Sequence, residues 1–157
     1  MIQTSTYNLS PKTYFKILVE NRLRRFWWLY LLIIVFSLSS LDRFGNDSFI
    51  TAYIIVSAVY LPGLIIYLYF WAVSPKNKNL FIPRFLTLDE TMMTSSSEGN
   101  FHSEIPLKLI LKAVERKSYW LLYIAKSQFL YIPKAVFTSP EDLATFKRLV
   151  TGSKSIK

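Results

Sequence analysis

The sequence predicts an α+β membrane protein: an N-terminal two-helix transmembrane hairpin followed by a small antiparallel β domain closed by a C-terminal helix. Three observations predict it. Two charge-free apolar runs, Phe26 to Leu41 and Phe49 to Val73, lie close together in the N-terminal half. From Leu80 the pattern changes to short segments of strand-type residues punctuated by turns. A segment with helix-start residues and one apolar face then closes the chain. The composition agrees, since 157 residues combine 52% hydrophobic content with a net charge of +9. Partitioning removes the apparent conflict. Residues 1–25 carry +4, residues 26–73 carry −1 and residues 74–157 carry +6.

Ahead of the first run, Ser10-Pro11 reads as an N-cap followed by proline at the first helical position. Tyr14, Phe15 and Leu18 then form an apolar stripe, so this stretch is expected to be a juxtamembrane helix running into the bilayer. At about 1.5 Å per residue the second run is about 37 Å long and spans a ~30 Å hydrocarbon core, whereas the first reaches only about 24 Å. Arg24 and Arg25 can snorkel, and Trp27, Trp28 and Trp71 fall where interfacial aromatics belong, so these five are the expected membrane-anchoring residues. The hairpin is therefore placed in residues 1–75, with spans at about 26–41 and 49–73. A signal peptide fits poorly, because no small-residue cleavage site follows the first run and a second begins within ten residues.

Lys and Arg crowd the outer flanks of the two runs, with Arg43 alone in the connector. This predicts a multi-pass protein of the bacterial inner membrane with both termini cytoplasmic and the Gly45-Asn46-Asp47 turn outside. Tyr53, Tyr60 and Tyr67 recur every seven residues as one stripe, which either packs on the first helix or faces another copy. Pro62-Gly63 is expected to kink the second helix.

Residues 76–157 are expected to form the cytoplasmic domain. Phe81 to Leu88 and Thr91 to Ser95 read as strands, and Ser95 to Asn100 as a turn or loop. Ile105 to Lys117 fits either a helix or a strand, with a turn at Pro106 and a strand from about Leu111 preferred. Tyr119 to Ala125 and Gln128 to Ile132, separated by Lys126-Ser127, complete an antiparallel meander. Ser139-Pro140-Glu141-Asp142 supplies a cap, a first-turn proline and acids for a last helix over 139–150, whose buried face is Leu143, Phe146, Leu149 and Val150.

The stretch Ile105 to Val114, Tyr119 to Tyr123, and above all Ile132-Pro133-Lys134-Ala135-Val136-Phe137 followed by Ser139-Pro140-Glu141-Asp142, resembles the C-terminal domain of the YcxB-like family. Where that family tends to have tryptophan in an "I-P-W" segment, this chain has Leu107. The resemblance implies two helices ahead of a compact β-rich domain, similar in outline to bacterial PH-like domains. It brings no catalytic residues, because the family has no established general activity.

The composition removes much chemistry. Without cysteine there is no thiol nucleophile, disulfide or Cys-ligated metal, and His102 alone cannot make a two-His site. No glycine-rich phosphate loop exists, and no spacing positions a nucleophile beside His102 and Glu104, so no enzyme activity and no cofactor are expected. Anion binding fits the charge better. The meander predicts Arg116, Lys117 and Lys134 at one end, countered by Glu141 and Asp142. It predicts Lys108, Lys126, Lys147 and Arg148 at the other, with no counter-charge, as the better anion site. Solvated surface charge, the terminal helix dipole and the inner-leaflet surface compete with that reading.

The expected partners are the lipid bilayer, further copies of the chain in a homo-oligomer and an anionic small molecule, with no nucleic-acid polymer. The leading functional expectation is a membrane-anchored sensor or effector that binds an anionic ligand such as a cyclic nucleotide second messenger, as in prokaryotic antiviral signalling. The alternative is a non-enzymatic protein-interaction module such as a toxin-immunity or scaffold protein.

Overall fold

A computed structural model describes residues 2–97, 102–126 and 128–152. Parts of two expected turns, Glu98 to Asn100 and Ser127, lie outside the described residues. The chain folds as two compact units: Ser10–Asn79, and a split unit made of Met1–Leu9 with Leu80–Lys157. The expected boundary at residue 75/76 therefore misses that the first nine residues belong with the β domain.

The helical unit opens with α1, Pro11–Ser39. Its start follows the expected rule, because Ser10 Oγ accepts from the backbone N–H of Thr13 at 3.1 Å. A short 3-10 turn at Leu41–Arg43 leads to Gly45, whose φ of +86° is a conformation that a side chain disfavours. Asp47 then caps α2, Ser48–Ala72, accepting from the N–H groups of Phe49 and Ile50 at 2.8 and 3.2 Å. The two helices pack antiparallel. Tyr53 meets Phe36 edge-on at 5.0 Å near the turn, and Phe15 meets Tyr69 at 5.8 Å at the far end.

α2 runs as one helix through Pro62 to Ala72, and α1 departs from helical geometry at Phe26 (φ −122°, ψ 18°). The tyrosine stripe is divided: Tyr53 packs on α1, but Tyr67 is exposed and stacks on Trp71 of its own helix. Among the described residues one helix, Ser48–Ala72, is long and apolar enough to cross a membrane. α1 has its charge-free stretch only after Arg22, Arg24 and Arg25, so a pair of equal spans does not follow from length and composition.

The split unit contains two antiparallel sheets. The first has the order β1 (Ile2–Gln3), β2 (Arg84–Leu88), β3 (Met92–Ser97), β4 (His102–Pro106). The second runs β5 (Lys112–Glu115), β6 (Tyr119–Tyr123), β7 (Phe129–Pro133). Registers Ile2↔Leu88, Leu88↔Met93 and Met93↔Ile105 align one apolar face. Trp120↔Ile132 and Leu122↔Leu130 supply the matching face of the second sheet, and Phe146 and Val150 of α3 (Pro140–Gly152) complete the core. Phe146 sits edge-on to Trp120 at 5.7 Å and beside Phe137 at 4.9 Å. The expected Ser139 cap is present, its Oγ accepting from Asp142 N–H at 3.0 Å.

The N-terminal strand has no counterpart in the expected element list, and it is fixed by more than its two paired residues. Thr4 N–H donates to Leu86 O and Leu86 N–H to Thr4 Oγ1, both at 2.9 Å. Ser5 N–H donates to Val136 O at 3.0 Å, and Tyr7 and Arg84 exchange two backbone bonds of 2.8 Å. Ile2, Thr4, Tyr7 and Leu9 are all buried.

Thr4 tests this attachment. A Thr4→Val substitution keeps the shape but leaves the Leu86 N–H without its acceptor inside the domain, at a cost of about 1–3 kcal/mol. Denaturant unfolding of the full chain in detergent, followed by near-ultraviolet circular dichroism, is expected to show that loss.

Candidate basic site

β5 and β6 meet in a tight turn, with Arg116 N–H donating to Tyr119 O at 2.8 Å. β7 ends beside that turn, because Lys134 N–H donates to Ser118 O at 2.9 Å. Lys134 is thereby delivered to Glu115: its Nζ donates to Glu115 Oε1 at 2.7 Å and lies 5.7 Å from the Trp120 ring centre. Lys147 of α3 reaches the other oxygen, Oε2, at 3.0 Å. One carboxylate thus holds two lysines from different elements, with Arg116 and Lys117 in the adjoining turn.

This assembly corrects the expected charge map. Lys147 was placed at the opposite end from Lys134, and the two share a carboxylate instead. The cause is Phe146, which docks α3 onto Trp120, the cross-strand partner of Glu115. Glu115, rather than Glu141 or Asp142, is the acid that the structure pairs with these lysines. The proposed end-cluster of Lys108, Lys126, Lys147 and Arg148 is accordingly not brought together through Lys147. Lys126 and Arg148 are exposed, and Lys108 borders a shallow hollow formed with Glu90, Met92 and Pro106.

Lys134 first, then Lys147, hold the Glu115 carboxyl below the ordinary carboxylate range by hydrogen bonding to its charged form. The site is open to water, so screening leaves only a small contribution to stability. Its sign is fixed: the depressed value means that the contribution is present above the unfolded carboxylate pKa and lost as pH falls through the folded one.

A second polar array escaped the reading of residue spacing. The β3–β4 pairing sets Ser96 opposite His102, and Ser96 Oγ lies 3.1 Å from His102 Nδ1 while His102 Nε2 lies 3.2 Å from Glu104 Oε1. A carboxylate only accepts, so this geometry fits an imidazole with its proton on Nε2 and a Ser96 hydroxyl donating to Nδ1. The period-two rule carries the available signal, since His102 and Glu104 occupy one face of any strand through them. The His102 and Glu104 side chains are both more than half exposed, unlike the enclosed setting in which such an array activates a nucleophile.

The expected anchoring residues all lie in the helical unit. Arg24, Arg25, Trp27 and Trp28 are exposed around the α1 break, and Trp71 is exposed near the end of α2.

The fold and the site together define an α+β protein whose helical hairpin is inserted into a two-sheet domain with a basic cluster. Residues 88–150 of that domain match the model of the YcxB-like protein family, the family that the motifs from Ile105 to Asp142 resemble. Neither the curated proteins nor the solved structures contain a match.

Glu115 can be read directly. A side-chain carbonyl NMR titration is expected to place its midpoint below the ordinary carboxylate range, and Lys134→Gln to move it up toward that range.

Proposed function

We propose that the protein is a membrane-anchored sensor or effector whose β domain binds an anionic ligand and whose helices respond. The carrying observation is the meeting of Lys134 and Lys147 on one carboxylate, Glu115, at one end of the second sheet, with Arg116 and Lys117 in the adjoining turn. Formally these five side chains sum to +3. A phosphate oxygen entering there replaces or joins Glu115 as acceptor for two lysines already held in place. Nucleotide second messengers supply that chemistry.

The membrane part of the proposal draws on chain connectivity. β1 precedes α1 and β2 follows α2, yet β1 and β2 are hydrogen-bonded neighbours. A chain that leaves and re-enters one water-exposed sheet crosses a bilayer an even number of times. With α2 long enough to cross, this favours α1 as the second crossing, its shortfall met by snorkelling of the flanking arginines. The charge bias favours a cytoplasmic β domain and an external Gly45 turn. A single hairpin encloses no pore, so action on the membrane calls for several copies.

A second reading rests on β4, an edge strand of its sheet with His102 and Glu104 exposed. Strand addition there suits a protein partner, as in an immunity or scaffold protein. Affinity capture from native membranes that yields one stoichiometric protein bound through β4 would favour it.

Because the chain has no cysteine, single introduced cysteines report topology cleanly. Cysteines at Asn46 and at Lys126 are expected to react with a membrane-impermeant maleimide from opposite faces of sealed vesicles; reaction from one face removes the two-crossing arrangement. For the ligand, the full chain in detergent is titrated with cyclic mono-, di- and oligonucleotides. Lys134→Gln and Lys147→Gln are each expected to weaken a positive member of the panel by about tenfold. A natively folded chain that binds none of the panel sinks the nucleotide reading.

A further inference from the structure

β4 is the last strand of its sheet, and among the described residues no backbone group pairs with its outer side. Asp89 N–H donates to Met92 O at 2.9 Å and Leu107 N–H to Thr91 O at 3.0 Å, and these two bonds fix the phase of the ladder. Backbone groups alternate in direction along an antiparallel strand, so Met93 and Ser95 exchange bonds with Ile105 and Ser103. His102, Glu104 and Pro106 therefore turn their backbone groups away from β3, and Pro106 has no N–H to offer. The open ladder in β4 is left with two complete residues, His102 and Glu104. Their side chains share one face and are 58% and 57% exposed, while Ser103 lies on the opposite face.

That edge complements itself. Two copies of one strand that pair antiparallel do so about a two-fold axis, and the residue on the axis decides what meets what. An axis through Ser103 sets His102 of each copy opposite Glu104 of the other, base against acid, and both pairs exchange their outward backbone bonds. An axis through Glu104 opposes two carboxylates and faces His102 with Pro106, which cannot donate. An axis through His102 opposes two imidazoles. We infer that two copies of the chain join through β4 in the register centred on Ser103, so that one sheet runs across both. This rests on the reading that several copies act together, and it supplies a contact between them. Two residues per strand make an interface well short of the roughly 1,200–2,000 Å² of a stable complex. The pairing therefore depends on chains that share a membrane, which raises their effective concentration.

Because the chain has no cysteine, a disulfide can report the axis. Opposed residues of a non-hydrogen-bonded pair lie about 4.5 Å apart at Cα, within disulfide range, and Ser103 is the residue that meets itself. The full chain carrying Ser103→Cys is reconstituted at low density in phosphatidylcholine vesicles and oxidised with copper phenanthroline, and dimer is read on a non-reducing gel. It is expected to cross-link about tenfold faster than His102→Cys or Glu104→Cys, whose positions oppose each other and not themselves. Random collision predicts the reverse order, since Ser103 is less exposed than either neighbour. In the Ser103→Cys background, His102→Glu opposes acid with acid and Glu104→Lys opposes base with base, so each should slow cross-linking about tenfold. Mixing the two variants restores opposite charges at both pairs and should recover the rate, which damage to folding would not allow.

Cross-linking at 102 or 104 that matches 103, or a mixture no faster than either variant alone, would overturn the assignment. Energy transfer between donor- and acceptor-labelled chains, each carrying Asn46→Cys, reports association through any surface. Transfer that persists without the cross-link at 103 refutes the β4 contact, leaves the reading of several copies standing and frees β4 for an unlike protein. Absence of both transfer and cross-link refutes both.

Discussion

Everything in the architecture depends on one closure, the pairing of residues 2–7 with residues 84–88. Two backbone bonds between Tyr7 and Arg84 bring the entry to α1 and the exit from α2 to the same place in a sheet. The helical unit is thus a loop of the β domain, although it is 70 residues long by its bounds, Ser10–Asn79. The helix pair is therefore joined to one sheet by two chain segments, residues 8–10 and 73–83.

The basic cluster depends on a different kind of interaction. Trp120 and Phe146 are buried to within 2% and settle where α3 crosses the second sheet, and Lys147 follows Phe146 by one residue. Packing in the core thereby decides which charges meet at the surface. The two lysines on Glu115 share its carboxylate and together exceed it by one positive charge.

The sequence was legible where periodicity and end signals were strong. Ser10-Pro11 and Ser139-Pro140 each begin the helices that they were expected to begin, and the β5–β7 meander follows its short apolar segments. β1 was illegible because two paired residues are too few to show a period, although Ile2, Thr4, Tyr7 and Leu9 are the buried positions of that segment. β4 was missed because His102-Ser103-Glu104 is polar on both faces, which suits an edge strand but resembles a loop. The charge map failed for a longer-range reason: the descent of α3 depends on how Phe146 meets Trp120 and Phe137, and no local pattern encodes that contact. The Ser96–His102 pair likewise needed the cross-strand register, which local spacing does not supply.

The closure also orders events during synthesis. β1 leaves the ribosome first, but its partner Leu86 lies 82 residues after Thr4, and the Val136 carbonyl that receives Ser5 lies 131 residues on. The intervening chain contains both long helices, so the N-terminal strand waits unpaired while they are made and placed. Loop closure over such separations is slow compared with local hairpin formation, and β2, β3 and β4 can assemble beforehand. Until β1 pairs, the β2 edge that it covers stays open.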